Sequence, residues 1–557
     1  MPPAKRIFIS TLIFCFWALA AFVVRCHNLH DVLIAGQIYF TDTDCYSRMT
    51  RARMVEAHPG LIIRHQDFEN YPEGTTTHAT APMDYLIVAL KWVVAAILRI
   101  LDRQGTSILE KQTLDVAGAL TSPLLGAAAC GFLALYARGL SIAKASWWTV
   151  PFVWAVSPIL VHGTVLGRPD HQSLQMVLLA LGIAAECRLA EQVSRRWAIA
   201  SGISWSLALW VSLYEPLVLF GVVLILWLVW NPRGLIARER RWGWAAFIAI
   251  LAVALLLEGW PVAVPEGPMR SYLANWAGTI GEMRHLRLGR FSFNRWFGIA
   301  WVRPEDVPGN SEFFDVFYRW LGAGCILAPV FLYRAMRHDR RALGLGILLI
   351  FTSMLTWWQI RWGYFAAMIF VLSLPWQFSV FKRWWSVPTF VLICAWPTLR
   401  AWEKTIYVDP EQREKLHHEV YLLRETAESL RGPERAPFMA PWWISPALAY
   451  WSEQPGVAGS SHESIAGTVD SARFYLAATP QESAAILRER GVARVVGDGD
   501  AERVISACAP ILGKEEPEKC MAHLLGEQFR QPAPFLIPAF SNEYFHVYAV
   551  DQARLNP

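Results

Sequence analysis

Charge is scarce in this chain. Asp, Glu, Lys and Arg make up 17% of 557 residues and hydrophobic residues 54%, against about 25% charged in a soluble domain. So little charge excludes a soluble globular protein. The net charge of +5 comes largely from arginine clusters in short loops between apolar segments, which excludes nucleic acid as a partner and fits helix orientation in a membrane. Nucleotide-binding signatures are missing as well: there is no Walker loop and no Gly-x-Gly-x-x-Gly fingerprint. If the chain transfers a group, its activated donor is then a lipid rather than a soluble nucleotide. No Ser/His/Asp arrangement offers nucleophilic catalysis. The nine Cys lack metal-ligand spacing. Cys508 and Cys520 fall in a polar tail, where an oxidising compartment allows either a disulfide or two thiols. Internal repeats and low-complexity segments are absent.

What is present is apolar sequence in long runs. Met1 to Arg6 is a short basic start, and the apolar run Ile7 to Val24 lacks a clean small-residue cleavage site, so it reads as an uncleaved first span. Further runs long enough to cross a bilayer lie near 113–136, 147–163, 172–187, 197–212, 216–230, 243–258, 316–334, 343–358, 362–381 and 386–401. Many of the 28 Trp stand beside their ends, as Trp147, Trp148, Trp357, Trp358, Trp384 and Trp385 do, where interfacial aromatic belts form. The expectation is a polytopic α-helical membrane protein with about 11–13 transmembrane helices and a C-terminal mixed α/β domain. Residues 1–402 form the transmembrane domain, with outer loops 25–112 and 259–315, and residues 403–557 form the soluble extracytoplasmic domain. In that tail, strands such as Ala493 to Val496 alternate with helical stretches such as Pro480 to Arg490.

Lys and Arg in the short loops give the chain a direction. Basic loops at Arg138–Lys144, Arg188–Arg196, Arg233–Arg241, Arg334–Arg341 and Lys382–Arg383 all face the cytoplasm if the N-terminus starts inside and Pro82 to Leu101 does not cross. That segment carries Asp84, Lys91 and Arg99, which suits an amphipathic helix lying on the membrane. The expected place is the inner (plasma) membrane, with a cytoplasmic N-terminus and a periplasmic or extracytoplasmic tail. The unusual polar motifs then all fall in the outer loops or the tail.

The first outer loop opens with Asp42-Thr-Asp44-Cys-Tyr46-Ser-Arg48. Two carboxylates this close can share a divalent cation; a solvated loop is the plainer reading. Residues Arg64 to Asn70 are dense in polar groups, and Tyr71-Pro72-Glu73-Gly74 marks a turn. A short loop holds Gly167-Arg168-Pro169-Asp170-His171-Gln172, with an acid, an imidazole and an amide where a helix enters the membrane. Ionisable groups at such depth are costly, although Asp170 also suits a helix N-cap. Arg361 stands at the outer end of a span, placed either to reach head groups or to bind an anion. Glu215 is a further acid at the outer surface.

In this order the motifs resemble those of the catalytic subunit of oligosaccharyltransferase, a family of the C-type glycosyltransferase superfamily, over nearly the whole chain. Asp44-Cys-Tyr46-Ser-Arg48 is similar to the family's first acidic motif, and Tyr71 to Thr75 to the stretch after it. Gly167 to Gln172 resembles the second acidic motif in its G-x-x-D-H-H form, and Thr279-Ile280-Gly281-Glu282 the T-I-x-E motif. Arg361 resembles the basic residue that binds the donor diphosphate. Pro441-Trp442-Trp443-Ile444-Ser445 and Tyr450-Trp451 stand where the family carries W-W-D-Y-G. Two departures stand out: Gln172 replaces a second His or an acid, and Ile444 replaces the Asp that reads the acceptor's Ser/Thr hydroxyl. No aliphatic side chain substitutes for that carboxylate.

The resemblance implies transfer of a glycan from a polyprenyl diphosphate, a lipid-linked oligosaccharide, to a protein or peptide acceptor. Asp44 and Glu282 would be catalytic, Arg361 would bind the diphosphate, and Trp442 and Trp443 the acceptor. Asp44, Asp170 and Gln172 would hold Mg²⁺ or Mn²⁺, with Asp42, His171 and Glu215 as secondary candidates. A single-subunit enzyme working against membrane lipid, with no nucleic-acid partner, is expected. The rival readings are a C-type glycosyltransferase that uses a polyprenyl-phosphate sugar to modify a lipid or glycan, a lipid or sugar transporter, and a catalytically silent scaffold.

Overall fold

The computed structural model describes residues 3–101, 112–143, 146–259, 269–280, 283, 285–286, 312–381, 383, 385–526 and 532–555. The chain forms two compact units, and neither is continuous in sequence. One combines residues 1–30, 119–257 and 282–408; the other combines 31–118, 258–281 and 409–557.

The first unit is helical. Its centre is the helix Gly363–Gln377, every residue of which is buried and which packs against the helices Thr149–Val156, His171–Glu191 and Arg340–Trp358. A helix apolar all round belongs in such a core. His171–Glu191 and Arg195–Val211 form an antiparallel pair, joined by a short turn in which the Ser194 hydroxyl caps the Trp197 N–H at 3.4 Å. Inside the unit, Glu186 accepts from Arg240 at 2.9 Å and from the Trp227 indole at 2.7 Å, so this buried acid is neutralised where it lies.

Six helices among the described residues are long and apolar enough to cross a membrane. They are Ala4–Arg25, Ala81–Ile100, Thr113–Gly139, His171–Glu191, Arg240–Glu258 and Arg340–Trp358, and the pair Glu312–Leu321 and Gly324–Met336 makes a seventh if its 84° bend lies within one span. That is fewer than the 11–13 expected. The other apolar runs are helical but shorter or broken. The run near 147–163 is interrupted at Ser157, just before Pro158, and that near 386–401 divides at Ala395, two residues before Pro397. Proline has no N–H for the helical ladder. Gly322, at φ +76°, makes the bend in the seventh candidate. The helices Arg195–Val211, Tyr214–Trp230 and Gly363–Gln377 have 17, 17 and 15 residues.

The second unit joins residues 31–118 and 258–281 to the tail. A four-stranded sheet pairs Phe438–Met439 parallel to Arg494–Asp498, which runs antiparallel to Phe545–Val550, which in turn pairs antiparallel with Leu536–Ser541. The helix Pro480–Glu489 precedes the second of these strands. These are the strand and helix expected at 493–496 and 480–490, within one turn of the expected ends. The loop residues are built in by backbone hydrogen bonds: Gly456 N–H donates to the Phe68 carbonyl at 2.9 Å, and Tyr71 N–H to the Gly456 carbonyl at 3.2 Å. Cys508 and Cys520 are both buried thiols in the core of this unit and are not bonded to each other.

In this unit the helix Ala81–Leu101 meets Thr43–Ala57. Asp84 receives Arg48 at 2.7 Å and Arg51 at 2.8 Å, and Lys91 pairs with Glu56. The charges that distinguished 82–101 from a span are therefore committed to a neighbouring helix, and by length and composition alone this helix could cross a membrane.

Candidate active site

In the first unit, the second polar motif is shaped by a turn that needs glycine. Gly167 sits at φ +77°, a backbone that costs an L side chain about 1–2 kcal/mol. Its N–H donates to the Ala119 carbonyl at 3.1 Å, and Leu166 N–H to the Arg25 carbonyl at 2.9 Å. The turn delivers Asp170 to the N-cap position of His171–Glu191, where its side chain makes no capping hydrogen bond. The plain N-cap reading therefore holds for the backbone only. The carboxylate is buried, and its Oδ1 lies 2.7 Å from His171 Nδ1.

Gln172, the second residue of the same helix, shares a small cavity with Gln175, Glu215, Arg361 and Tyr364. Arg361 lies in the single turn Ile360–Trp362, just before the central helix, and its Nη2 is ion-paired with Glu215 Oε1. Glu215 is 1% exposed and Arg361 17%. Glu215 Oε2 also accepts from Gln175 Nε2 at 2.9 Å and from the Ser212 hydroxyl at 3.3 Å. Two residues proposed separately from sequence, one as an anion binder and one as a secondary acid, are partners. Arg361 Nη1 lies 3.7 Å from the Met283 sulfur.

Three further groups here were not among the sequence candidates. Arg168 Nη1 lies 2.8 Å from His162 Nδ1 and 3.4 Å from the Tyr364 hydroxyl, and that hydroxyl lies 2.8 Å from the same imidazole nitrogen. Arg168 is buried. Its signal was in the motif itself: like Arg361, it is a cation in a loop expected from the sequence to face outward, where a positive-inside count places few.

In the second unit, Asp42 is the N-cap of Thr43–Ala57 and accepts the Cys45 N–H at 3.1 Å. Its secondary candidacy thus has a structural explanation. Asp44 stands in the first turn of that helix, where a carboxylate complements the helix dipole. Trp442 and Trp443 form a turn before the helix Ser445–Ser452, their rings 5.9 Å apart and nearly perpendicular. Trp276, from the helix Met269–Thr279, packs on Trp442 at 5.7 Å, and Ile280 joins the same apolar cluster. The Thr279-Ile280 and Trp442-Trp443 motifs, remote in sequence, are thus brought together. Glu282 lies outside the described residues. Ile444 is buried, and Tyr450 donates from its hydroxyl to Asp115 under a stacked Arg53 guanidinium. Asp44 belongs to the second unit, and Asp170, Gln172, Glu215 and Arg361 to the first.

No family model matches the chain, and no curated protein matches it in sequence. Solved structures do match its fold. The Archaeoglobus fulgidus oligosaccharyltransferase in the apo form superposes with a TM-score of 0.62 at 13% identity, covering 98% of this chain and 74% of that one. The same archaeal enzyme, AglB, in complex with an inhibitory peptide and a dolichol-phosphate gives 0.58 at 15% identity, over 98% and 75%; its complex with zinc and sulfate also matches, at 0.56 and 13% identity over 97% and 73%. ArnT from Cupriavidus metallidurans, bound to undecaprenyl phosphate, gives 0.53 at 13% identity over the full length of both chains. The chain has the fold of these membrane proteins.

Proposed function

We propose that this protein is a membrane glycosyltransferase that moves a glycan from a polyprenyl diphosphate donor to an acceptor, in the first place a protein, at the extracytoplasmic face. The observation that carries this reading is the buried Glu215–Arg361 ion pair, which lines a cavity with Gln172, two residues beyond the buried Asp170. Buried charge of this kind is expensive and marks a site. The fold shared with an oligosaccharyltransferase and with a protein solved bound to undecaprenyl phosphate supports a lipid-linked donor. A groove of about 520 Å³ in the same unit, lined by Phe152, Val156, Phe370, Leu374 and Phe390 among others, offers an apolar bed for a prenyl chain.

Within this reading Arg361 gives charge-assisted hydrogen bonds to phosphate oxygens of the donor, and Glu215 holds its guanidinium in place. Arg168, hydrogen-bonded through His162 and Tyr364, adds positive potential beside it. By residue type, carboxylates such as those of Asp44 and Asp170 and an amide oxygen such as that of Gln172 are the oxygen donors that a hard divalent ion such as Mg²⁺ or Mn²⁺ takes. Asp170 fits that role because its buried carboxylate is not spent on capping its helix. When bound, such an ion neutralises charge on the leaving diphosphate. Asp44 and Glu282 orient the acceptor nucleophile toward the anomeric carbon, and Trp442 and Trp443 provide an aromatic face for the acceptor. The buried Ile444 provides no carboxylate to read a Ser/Thr hydroxyl, so the acceptor rule differs from Asn-x-Ser/Thr.

The Ile444 position also favours a second reading, in which a polyprenyl-phosphate sugar modifies a lipid or glycan. One experiment separates the two and tests both. Membranes carrying the wild type, Asp44→Ala or Asp170→Ala are given an isotopically labelled lipid-linked glycan, and the products are analysed by mass spectrometry. Label in glycopeptides from the wild type, and in neither variant at equal expression, is the expected result. Label only in lipid products selects the second reading, and full transfer by both variants removes the assignment of these carboxylates.

A further inference from the structure

His78, His462 and Glu463 take no part in the reaction above, yet the second unit gathers them at one point. His78 follows the strand Thr75–Thr76, which pairs with His65–Gln66, and precedes the helix Ala81–Leu101. His462 and Glu463 begin the single turn His462–Ser464, which leads into the helix Ile465–Tyr475. Among the described residues this is the one group of three His, Cys, Asp or Glu side chains whose donor atoms lie within 4.8 Å of one another. Glu463 Oε1 accepts the His78 backbone N–H at 2.6 Å, lies 2.6 Å from His78 Nδ1, and lies 3.5 Å from His462 Nε2. The two imidazoles face each other with centroids 4.4 Å apart.

A second observation points to a ligand. Glu463 is 7% exposed, and its other oxygen, Oε2, is buried with no hydrogen-bond partner. Leaving such an atom unsatisfied costs about 1–3 kcal/mol, more when the group is charged, so native structures give it a partner, an ion or a water. We propose that His78, His462 and Glu463 bind a zinc ion, which ties the outer-loop segment to the tail within this unit.

The donor chemistry selects the metal. Two imidazole nitrogens and one carboxylate oxygen suit zinc, whereas magnesium and calcium prefer oxygen shells. Tetrahedral zinc with bonds of about 2.0–2.1 Å needs donors about 3.4 Å apart, so small rotations of the two exposed-edge imidazoles close the present spacing. The His78 N–H keeps Glu463 Oε1 fixed while Oε2 turns to the metal. The Ser464 hydroxyl, donating to the Ser461 carbonyl at 2.6 Å, holds the turn that presents both residues. Zinc would close a loop of several hundred residues, the case in which a clip restricts the unfolded chain most.

The full-length protein, purified in detergent without chelator, is the material for the test. Metal analysis is expected to find about one zinc per chain, with an X-ray absorption spectrum of imidazole and oxygen ligands and no sulfur. The variants His462→Ala and Glu463→Gln bind added zinc more than tenfold more weakly, and EDTA lowers the thermal midpoint of the wild type but not of these variants. Asp170→Asn retains the zinc, which separates this site from the ion proposed for the reaction. If His462→Ala aggregates, the near-isosteric Glu463→Gln and the wild-type spectrum decide. A wild type that takes up no zinc, a spectrum without imidazole, or zinc lost from Asp170→Asn and kept by Glu463→Gln overturns the proposal.

Discussion

Arg361 answers to two demands that pull against each other. A residue that grips a diphosphate should offer its charge to the donor, and this one already faces Glu215 in a nearly dry environment. A buried pair broken from one side typically costs 3–5 kcal/mol, because the remaining charge is stranded. Arg361→Met is therefore expected to destabilise the protein by roughly 3–5 kcal/mol and also to abolish transfer, and a single variant cannot separate the two effects. The double variant Arg361→Met, Glu215→Gln removes the stranded charge and should regain most of the thermal stability while remaining inactive. Recovery of transfer in the double variant would show that Arg361 serves only the fold. Sequence showed both residues but not their pairing, since the carboxylate and guanidinium meet only when the helix beginning at Tyr214 packs beside the turn at Ile360. Arg168 was passed over for a related reason. Beside Pro169 it reads as a loop cation, and only the fold supplies the His162 and Tyr364 that surround it.

Helix contacts in the first unit rest on missing side chains as much as on present ones. A Cβ on Gly202 would lie 2.1 Å from the Gly243 carbonyl oxygen, and one on Gly243 would lie 2.3 Å from the Ala198 carbonyl oxygen. The helices Arg195–Val211 and Arg240–Glu258 thus meet backbone to backbone, as small residues permit in membranes. Neither carbonyl can swing aside without giving up its own helical hydrogen bond. Gly243→Val should separate the pair and cost at the upper end of overpacking, about 3 kcal/mol, seen as a lower thermal midpoint in detergent. Gly221 has open space around its Cα, and Gly221→Ala should leave the midpoint unchanged or raise it, since alanine is the better helix former by roughly 1 kcal/mol. Equal losses in both would mean that close approach is not what matters. At this scale the sequence was readable where one signal dominated. Pro480 opened a helix at its N-terminus, and the β-branched Val495 and Val496 marked a strand. Apolar runs were read as unbroken spans because hydropathy averages over prolines, and Pro158, Pro397 and Gly322 divide or bend them.

The second unit constrains the path of the whole chain through a membrane. Its loop segment and its tail share backbone hydrogen bonds, Gly456 to Phe68 and Tyr71 to Gly456, so residues near 70 and near 456 lie on the same side. The chain between residue 80 and residue 409 must then cross an even number of times. The apolar runs from 113–136 to 386–401 number ten, and counting Ala81–Leu101 as a crossing makes the number odd. If all ten of those runs cross, Ala81–Leu101 does not, because one more crossing would carry the tail away from the loop to which it is bonded. Hydropathy alone cannot make that distinction; the positive-inside count, and the loop–tail contacts once ten crossings are taken, both predict a helix that stays on one side. Reporter fusions check it directly. Alkaline phosphatase joined after Pro557 should be active, as an enzyme that matures only outside the cytoplasm, and fusions after Arg196, Arg241 and Arg341 should be inactive. Active fusions at those three arginines with an inactive one at Pro557 would mean that Ala81–Leu101 crosses. In that case neither the zinc site nor an extracytoplasmic glycan acceptor could stand, since His78 and His462 would face different compartments.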